Sequence, residues 1–353
     1  MRLYSLGGLD WKDTQLFYHA MAHLGLEGVI ICRPNDPYFC VGFHQDVQQE
    51  LDLMFLNAIG VPYFRRETGG GTVRLDKGQV FYQIIVKKDT KECPPNPERF
   101  YERYLQPAVE ALDALGLGAI VAEPNDILVN GKKVSGNGGA DVGECKVLVG
   151  DILVDFDPAK MCRGLKTPTG AFRAACVRRM KADVTTVRAE RPGATVEKVE
   201  RALRKAYLKV CGDGESTCLP AEVLAKAREL EGKYLAKDWL LFPGPRRPWR
   251  RVKVREGVHV AAMPIGDGEE LFGQLQIETL GGALDRVELV PISSSTKTDG
   301  PASNMTAMWK ALVVREGRPR KDLARLLMEM DIPKERLDAV MADILERATR
   351  PGS

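Results

Sequence analysis

The sequence is poor in histidine, with four in 353 residues, and its eight cysteines include no Cys-x-x-Cys pair. The ligand clusters of a structural zinc site are therefore missing, and the thiols are expected to stay reduced in a cytoplasmic protein. His19 and His23 lie four apart on an expected helix, but no Glu follows His19 as a zinc-peptidase motif requires. A surface pair or an incidental spacing is the expectation. No apolar run reaches the ~20 residues that a membrane-spanning helix needs. The first eight residues, Met1 to Gly8, have neither a continuous apolar core nor a small-residue cleavage site, so secretion is not expected. A net charge of +3 is too mild to imply a nucleic-acid groove. Neither Gly-Lys-Ser/Thr after a phosphate loop nor Gly-x-Gly-x-x-Gly occurs. What remains is an ordinary globular composition, 44% hydrophobic and 28% charged, in a chain long enough for two unequal domains.

Hydrophobic spacing predicts helices over Trp11–Leu24, Gln49–Ala58 and Arg99–Leu115, the last stopping at Gly116. Val29–Cys32 and Tyr38–Gly42 read as strands joined in a hairpin by Pro34-Asn35-Asp36-Pro37. Val80–Val86 and Val147–Phe156 are further strands, the latter interrupted by Gly150-Asp151. Asp126–Val129 and Lys132–Ser135 flank Asn130-Gly131, a strong two-residue hairpin turn. Helices mixed with hairpins predict an α+β fold whose sheet is mostly antiparallel and flanked by helices. Three prolines and a glycine within Phe242–Pro248 place a boundary there. The expected division is residues 1–245 and a smaller α+β module, 246–353, with strands over Trp249–Val260, Glu270–Thr279 and Ala283–Pro291. Asp322–Met330 and Lys334–Ala348 would be its closing helices.

The most informative segment is Arg65-Arg66-Glu67-Thr68-Gly69-Gly70-Gly71-Thr72-Val73, set between two apolar stretches. Three bare glycines expose main-chain N–H groups, and two arginines at one end suit an anion. A second segment runs from Glu123 to Gly139 and carries Asn125-Asp126 before one strand and Lys132-Lys133 on the next. Alternation lets only one of these lysines face a site. We take Lys133, which leaves Lys132 sharing a face with Val134 unless its stem snorkels outward.

Together the two segments resemble the lipoate–protein ligase branch of the biotin/lipoate ligase superfamily. Arg65–Val73 is similar to its Arg-Arg-x-Ser/Thr-Gly-Gly-Gly-x-Val element, and Asn125–Gly136 to Asn-Asp-Leu/Ile followed by Gly-Lys-Lys-Ile/Val-Ser-Gly. Val41-Gly42-Phe43-His44-Gln45, Gly150–Asp155 and the Lys166–Val187 region also resemble family segments. The tail after Pro248, with Gly281-Gly282 between strands, resembles the family's accessory domain. The resemblance implies lipoate or octanoate, ATP and Mg²⁺ as small molecules, and a carrier domain with a hairpin lysine as acceptor. It implies Lys133 as the essential cation, Arg66 at the nucleotide phosphates and Gly71, Thr72, Val73 and Arg74 along the nucleotide. Gly69 and Gly70 would run beside the acyl chain, and Asp126 would hold Mg²⁺. Gln79, Asn125, Ser135, Gly136, Gly150 and Asp151 complete the implied binding site. No nucleic acid or membrane partner is implied.

The chain departs from that pattern at Leu75, Gln79, Val149 and Asp151, where the family has His, Asn, His and Thr. Asp151 reads either as a second metal ligand or as a strand-end charge facing water, and the solvated charge is preferred. An ATP-independent acyltransferase would need a cysteine nucleophile, for which Cys162 and Cys176 are the candidates. Cys176 has Arg173, Arg178 and Arg179 nearby in sequence, but a buried structural thiol is the plainer reading. A biotin ligase lacks support, because its Gly-Arg-Gly-Arg turn is absent. A non-catalytic lipoate-binding or regulatory module is disfavoured by Lys133.

Overall fold

The computed structural model describes residues 1–291 and 318–349, apart from residues 123, 213, 268, 269, 282 and 333. Glu123, the start of the second segment, and Gly282 of the expected Gly-Gly turn thus lie outside the described residues. The chain forms two compact units, Met1–Lys166 with Lys181–Arg246, and Thr167–Met180 with Arg247–Ser353.

The first unit is built on an eight-stranded sheet, in the order Glu215–Ser216, Arg2–Leu9, Gly28–Pro34, Gln79–Lys87, Cys145–Leu153, Lys132–Val142, Asp126–Val129, Ile120–Ala122. Only the pairings of Arg2–Leu9 with its two neighbours are parallel; the rest are antiparallel. The α+β expectation with a mostly antiparallel sheet is met. Gln79–Lys87 is apolar almost throughout because both of its faces are covered. Val80, Tyr82, Ile84 and Val86 pack with Phe100, Tyr104 and Leu112 of the helix Pro97–Asp113. Phe81 and Ile85 pack on the other face, with Leu16, Ala20 and Met21 of the helix Asp13–His23 and Leu230 of the helix Ala221–Tyr234. The one polar residue in the strand's interior is Gln83, on that second face.

Tyr38–Val41 does not pair with Gly28–Pro34, contrary to the expected hairpin. Both edges of Gly28–Pro34 are occupied, by Arg2–Leu9 and Gln79–Lys87. Tyr38–Val41 instead becomes the centre of a small three-stranded sheet between Tyr63–Arg65 and Val73–Leu75. The helix expected over Gln49–Ala58 is two short helices, Val47–Glu50 and Leu53–Ala58. Asp46 and Asp52 each cap one of them, accepting from the N–H groups of Gln48 and Phe55.

In the second unit, the stretch expected to be one strand over Trp249–Val260 turns back at Gly257, giving Arg250–Arg255 and Val258–Asp267. With Glu270–Leu280 and Ala283–Pro291 they form a four-stranded antiparallel meander. Leu326, Leu327 and Met330 from the helix Arg318–Glu329 and its end, with Ile344 of the helix Leu337–Thr349, share a buried core with Leu275 and Ile277. Thr169 accepts from the Gln274 amide at 2.8 Å, and Arg179 pairs with Asp285 at 2.9 Å, so residues 167–180 join this unit. Among the described residues no helix is long and apolar enough to cross a membrane.

Ile84 is fully buried. Ile84→Ala is expected to cost about 2–5 kcal/mol in urea unfolding, the range for large-to-small changes in a packed core. A loss well below that range would show that this sheet face is not close-packed.

Candidate active site

The hairpin around Asn130-Gly131 forms as expected, with both turn residues left-handed at φ 50° and 75°. Its register then slips. Val129 pairs with Lys132 and Leu128 with Lys133, but Ile127 pairs with Ser135, so Val134 is the extra residue of a bulge. Val134 is fully buried, Lys132 is exposed, and Lys133 enters a cavity on the second face of the large sheet. Because the bulge resets alternation, Lys133 and Gly136, three residues apart, both line that cavity. Lys133 is held at both ends. Its carbonyl accepts from the Thr185 N–H at 2.8 Å, and its ammonium lies 2.8 Å from Asp126 Oδ1. Glu190 ties the surrounding loops together, accepting from Thr185 Oγ1 at 2.6 Å and Asn130 Nδ2 at 2.7 Å.

The glycine turn closes the other wall. Arg66 donates to the carbonyls of Gly69 and Gly71, each at 2.8 Å, and to Cys40 O at 3.2 Å. These bonds shape the turn while the guanidinium charge stays at the cavity. Gly70 is left-handed, at φ 97°, and a Cβ there would meet Arg66 Nη2 at 2.9 Å. A Cβ on Gly42 would meet Gly70 O at 2.2 Å, so the turn lies directly on bare main chain. The N–H groups of Gly70 and Gly71 make no hydrogen bond among the described residues and remain for an anion.

Arg65 corrects the reading of two arginines sharing one anion. It is fully buried, and it donates to Phe43 O at 2.8 Å, Gln45 O at 2.6 Å and Phe242 O at 2.7 Å. Its fork is spent on clamping two loops, which leaves Arg66 as the arginine at the cavity.

Of the residues expected at the site, Arg66, Gly70, Gly71, Val73, Lys133, Gly136, Gly150 and Asp151 line the cavity. Gly69, Thr72, Arg74, Gln79, Asn125, Asp126 and Ser135 do not. Gln79 is buried and donates to Arg74 O at 3.1 Å, holding its own loop. Thr72 faces Gln45 and Glu50, at 3.2 Å from each. Ser135 lies 2.8 Å from the Tyr82 hydroxyl, which donates to Asn137 Oδ1, while Asn125 and Asn137 exchange amide-to-carbonyl bonds at 3.2 and 2.7 Å. Gln79, Thr72, Ser135 and Asn125 support the lining rather than form it. Cys40, Gln15, Phe81, Gln83, Asn137 and Gly138 line it unforeseen, together with Leu75 and Val149, noted above as departures from the family pattern. Gln83, polar in an apolar strand, was the available signal.

Asp151 is half-buried and lines the cavity; it is not a solvated strand end. In the strand Cys145–Leu153 it pairs with Gly136 on one side and Phe81 on the other. Burial pushes its carboxyl up to about 6, against the pull of Lys133 and the Gly136 N–H, which donates to Oδ1 at 3.2 Å. Cys162 and Cys176 are fully buried, and none of the eight cysteines is in a disulfide. Burial raises the Cys40 thiol despite Arg66 beside it.

His19 does not lie on the surface. It is fully buried, and its Nδ1–H donates to Gln15 O at 2.7 Å, so Nε2 accepts the Glu67 N–H at 3.1 Å. The turn's entry thus requires a neutral imidazole, and burial lowers the His19 pKa from 6.5 to about 4. Above pH 6.5 His19 is neutral folded and unfolded, and its contribution to stability is complete. Between 6.5 and 4 the unfolded chain binds a proton that the folded chain refuses, so stability falls as pH falls. Urea midpoints are expected to drop across this window, and His19→Gln, which does not titrate, should flatten the slope. An unchanged slope in that variant would contradict the assignment.

Two cations, Lys133 and Arg66, line the cavity together with the bare main chain of Gly70 and Gly71, an arrangement that suits an anion. The expected Mg²⁺ site does not fit as well. Asp126 Oδ1 is engaged by Lys133, and no group of three or more His, Cys, Asp or Glu among the described residues gathers to hold a metal.

The family profile described as the lipoyl protein ligase A/B catalytic domain matches residues 13–208. The octanoyltransferase LipM of Kyrpidia tusciae is 28% identical over 232 residues, covering 58% of this chain and 83% of that protein. Lipoate–protein ligase 2 of Staphylococcus aureus is 35% identical over 106 residues, but these cover 28% of this chain and 30% of the relative. A crystal structure of lipoate–protein ligase A bound with ATP shares the fold, with a TM-score of 0.57 at 21% identity, covering 68% of this chain and 98% of that one. Motifs, fold and profile agree, and the chain belongs to the lipoyl protein ligase A/B catalytic domain family.

Proposed function

We propose that this protein is an ATP-dependent lipoate–protein ligase acting in the cytoplasm. It would activate lipoate or octanoate as the acyl-adenylate and pass the acyl group to a hairpin lysine of a carrier domain. Residues 1–245 would be the catalytic domain and 246–353 the accessory domain. The observation that carries this reading is the Lys133 ammonium in a cavity that Arg66 and the bare residues Gly70 and Gly71 also line.

The first step brings a carboxylate against the α-phosphate, two anions that repel. Lys133, fixed by the bulge, Thr185 and Asp126, lowers that barrier without reorganising. Arg66 adds a second positive charge, and the glycine N–H groups stand ready for phosphate oxygens. Val73, Leu75, Phe81 and Val149 offer an apolar wall to an aliphatic chain. Mg²⁺ would arrive with the nucleotide, held chiefly by its phosphates.

A second reading is supported by the similarity to an octanoyltransferase across 83% of that relative. It would use a thiol as acyl acceptor, with Cys176 as candidate. The complete burial of Cys176 and the cations at the cavity favour the ligase.

The test is mass spectrometry of a lipoyl carrier domain incubated with protein and lipoate, with and without ATP·Mg²⁺. Modification is expected only with ATP, and Lys133→Ala should slow it by about 10²–10³-fold, as for loss of a transition-state cation or donor. Cys176→Ala should keep the ATP-dependent reaction. Acyl transfer from octanoyl carrier protein without ATP, abolished in Cys176→Ala, would instead establish the transferase.

A further inference from the structure

Forming an amide from an acyl-adenylate needs a proton acceptor, and the cavity holds one that the adenylation step does not use. Asp151 is the only carboxylate among the described residues lining the cavity. The nearby acids are committed elsewhere. Asp126 pairs with Lys133, and Glu67 with His23 at 3.2 Å and Lys233 at 3.0 Å. Asp151 sits beside the expected reacting centre. A Cβ built on Gly136 would lie 3.3 Å from Asp151 Oδ1 and 3.6 Å from Lys133 Nζ, so both charged ends converge over the same bare main chain. On its other side the strand Gln79–Lys87 presents Phe81, an apolar neighbour that offers the carboxylate no donor.

We propose that Asp151 is the general base of the transfer half-reaction, taking the proton from the acceptor lysine as its nitrogen attacks the acyl carbon. This rests on the ligase reading above. The acceptor lysine first loses one proton to solvent. Its amine then forms the C–N bond while the C–O bond to the AMP phosphate breaks. The remaining excess proton on nitrogen moves to Asp151 and on to solvent, and AMP leaves with the bonding electron pair on its phosphate oxygen, beside Lys133. The adenylation step transfers no proton, because a carboxylate displaces pyrophosphate directly.

The charged and titratable groups that face Asp151 are Lys133 on the neighbouring strand and Arg66 on the turn, with Tyr82 and, through Lys133, Asp126 close by. Burial outweighs the two cations and leaves Asp151 titrating at about 6, where a base can both accept and release a proton near neutrality. Bound AMP phosphate would raise it further by like-charge repulsion.

The experiment measures the half-reactions separately. Pyrophosphate release from ATP and lipoate reports adenylation, and single-turnover transfer from synthetic lipoyl-adenylate to a lipoyl carrier domain reports the second step. Wild-type transfer should rise with pH through the acceptor lysine's own ionisation and, below it, through a second ionisation shifted above the ordinary carboxylate range. Asp151→Asn should slow transfer by about 10²-fold or more beyond any change in adenylation and erase that ionisation, and Asp151→Glu should restore part of both. Equal losses in the two steps, or an unchanged pH profile in Asp151→Asn, would overturn the assignment. Synthetic adenylate keeps the questions apart: absent pyrophosphate release with intact transfer counts against the ligase reading, not against Asp151.

Discussion

A charged ammonium held at a fixed point beside open main chain is the constraint on which the structure turns. Lysine is long and flexible, and left alone it would extend into water. Here a bulge aims Lys133 inward, Thr185 fixes its carbonyl, and Asp126 anchors the charged end. The pair is only partly covered, with one fifth of the Lys133 side chain exposed and 6% of the Asp126 side chain. Its cation therefore stays available to a ligand without the full cost of a buried ion pair.

The glycine turn answers the same requirement from the opposite wall. Main chain can contribute N–H groups to a ligand only if side chains do not stand in front of them. Gly42 lets Gly70 lie against it, and a Cβ on Gly138 would meet Gly69 O at 3.1 Å, so the turn nests between two bare stretches of backbone. Arg66 then braces the turn from inside, while Arg65 and His19 fix its entry from beneath. Two adjacent arginines thus take different tasks, one facing the cavity and one clamping the loops behind it.

The triple glycine, the Asn-Gly hairpin and the Lys-Lys pair were legible because each follows from local chemistry: bare amides, a left-handed turn, a cation on a strand. Which lysine faces inward was decided by a bulge, and a bulge depends on how the next strand pairs. The Asn35-Asp36 turn looked like a hairpin because sequence alone does not show that Gly28–Pro34 has both edges occupied. The single helix that hydrophobic spacing suggests over Gln49–Ala58 is split because Asp46 and Asp52 each cap a separate short helix. Acids seldom face a cavity, so sequence alone favours a solvated Asp151; its register with Gly136 and the cavity lining place its carboxylate near the Lys133 ammonium. Gln15, Cys40 and Gln83 come from three separate elements and meet only in the folded chain.

The central claim concerns a cation that lets a carboxylate reach a phosphate, and its most direct measurement is isotope exchange. Labelled pyrophosphate should enter ATP only when lipoate or octanoate is present, with no carrier domain added. That exchange should fall by about 10²–10³-fold in Lys133→Ala while the variant's fold, followed by circular dichroism, is retained. Exchange at near wild-type rate without Lys133, or exchange that never occurs in the wild-type protein, would contradict the account.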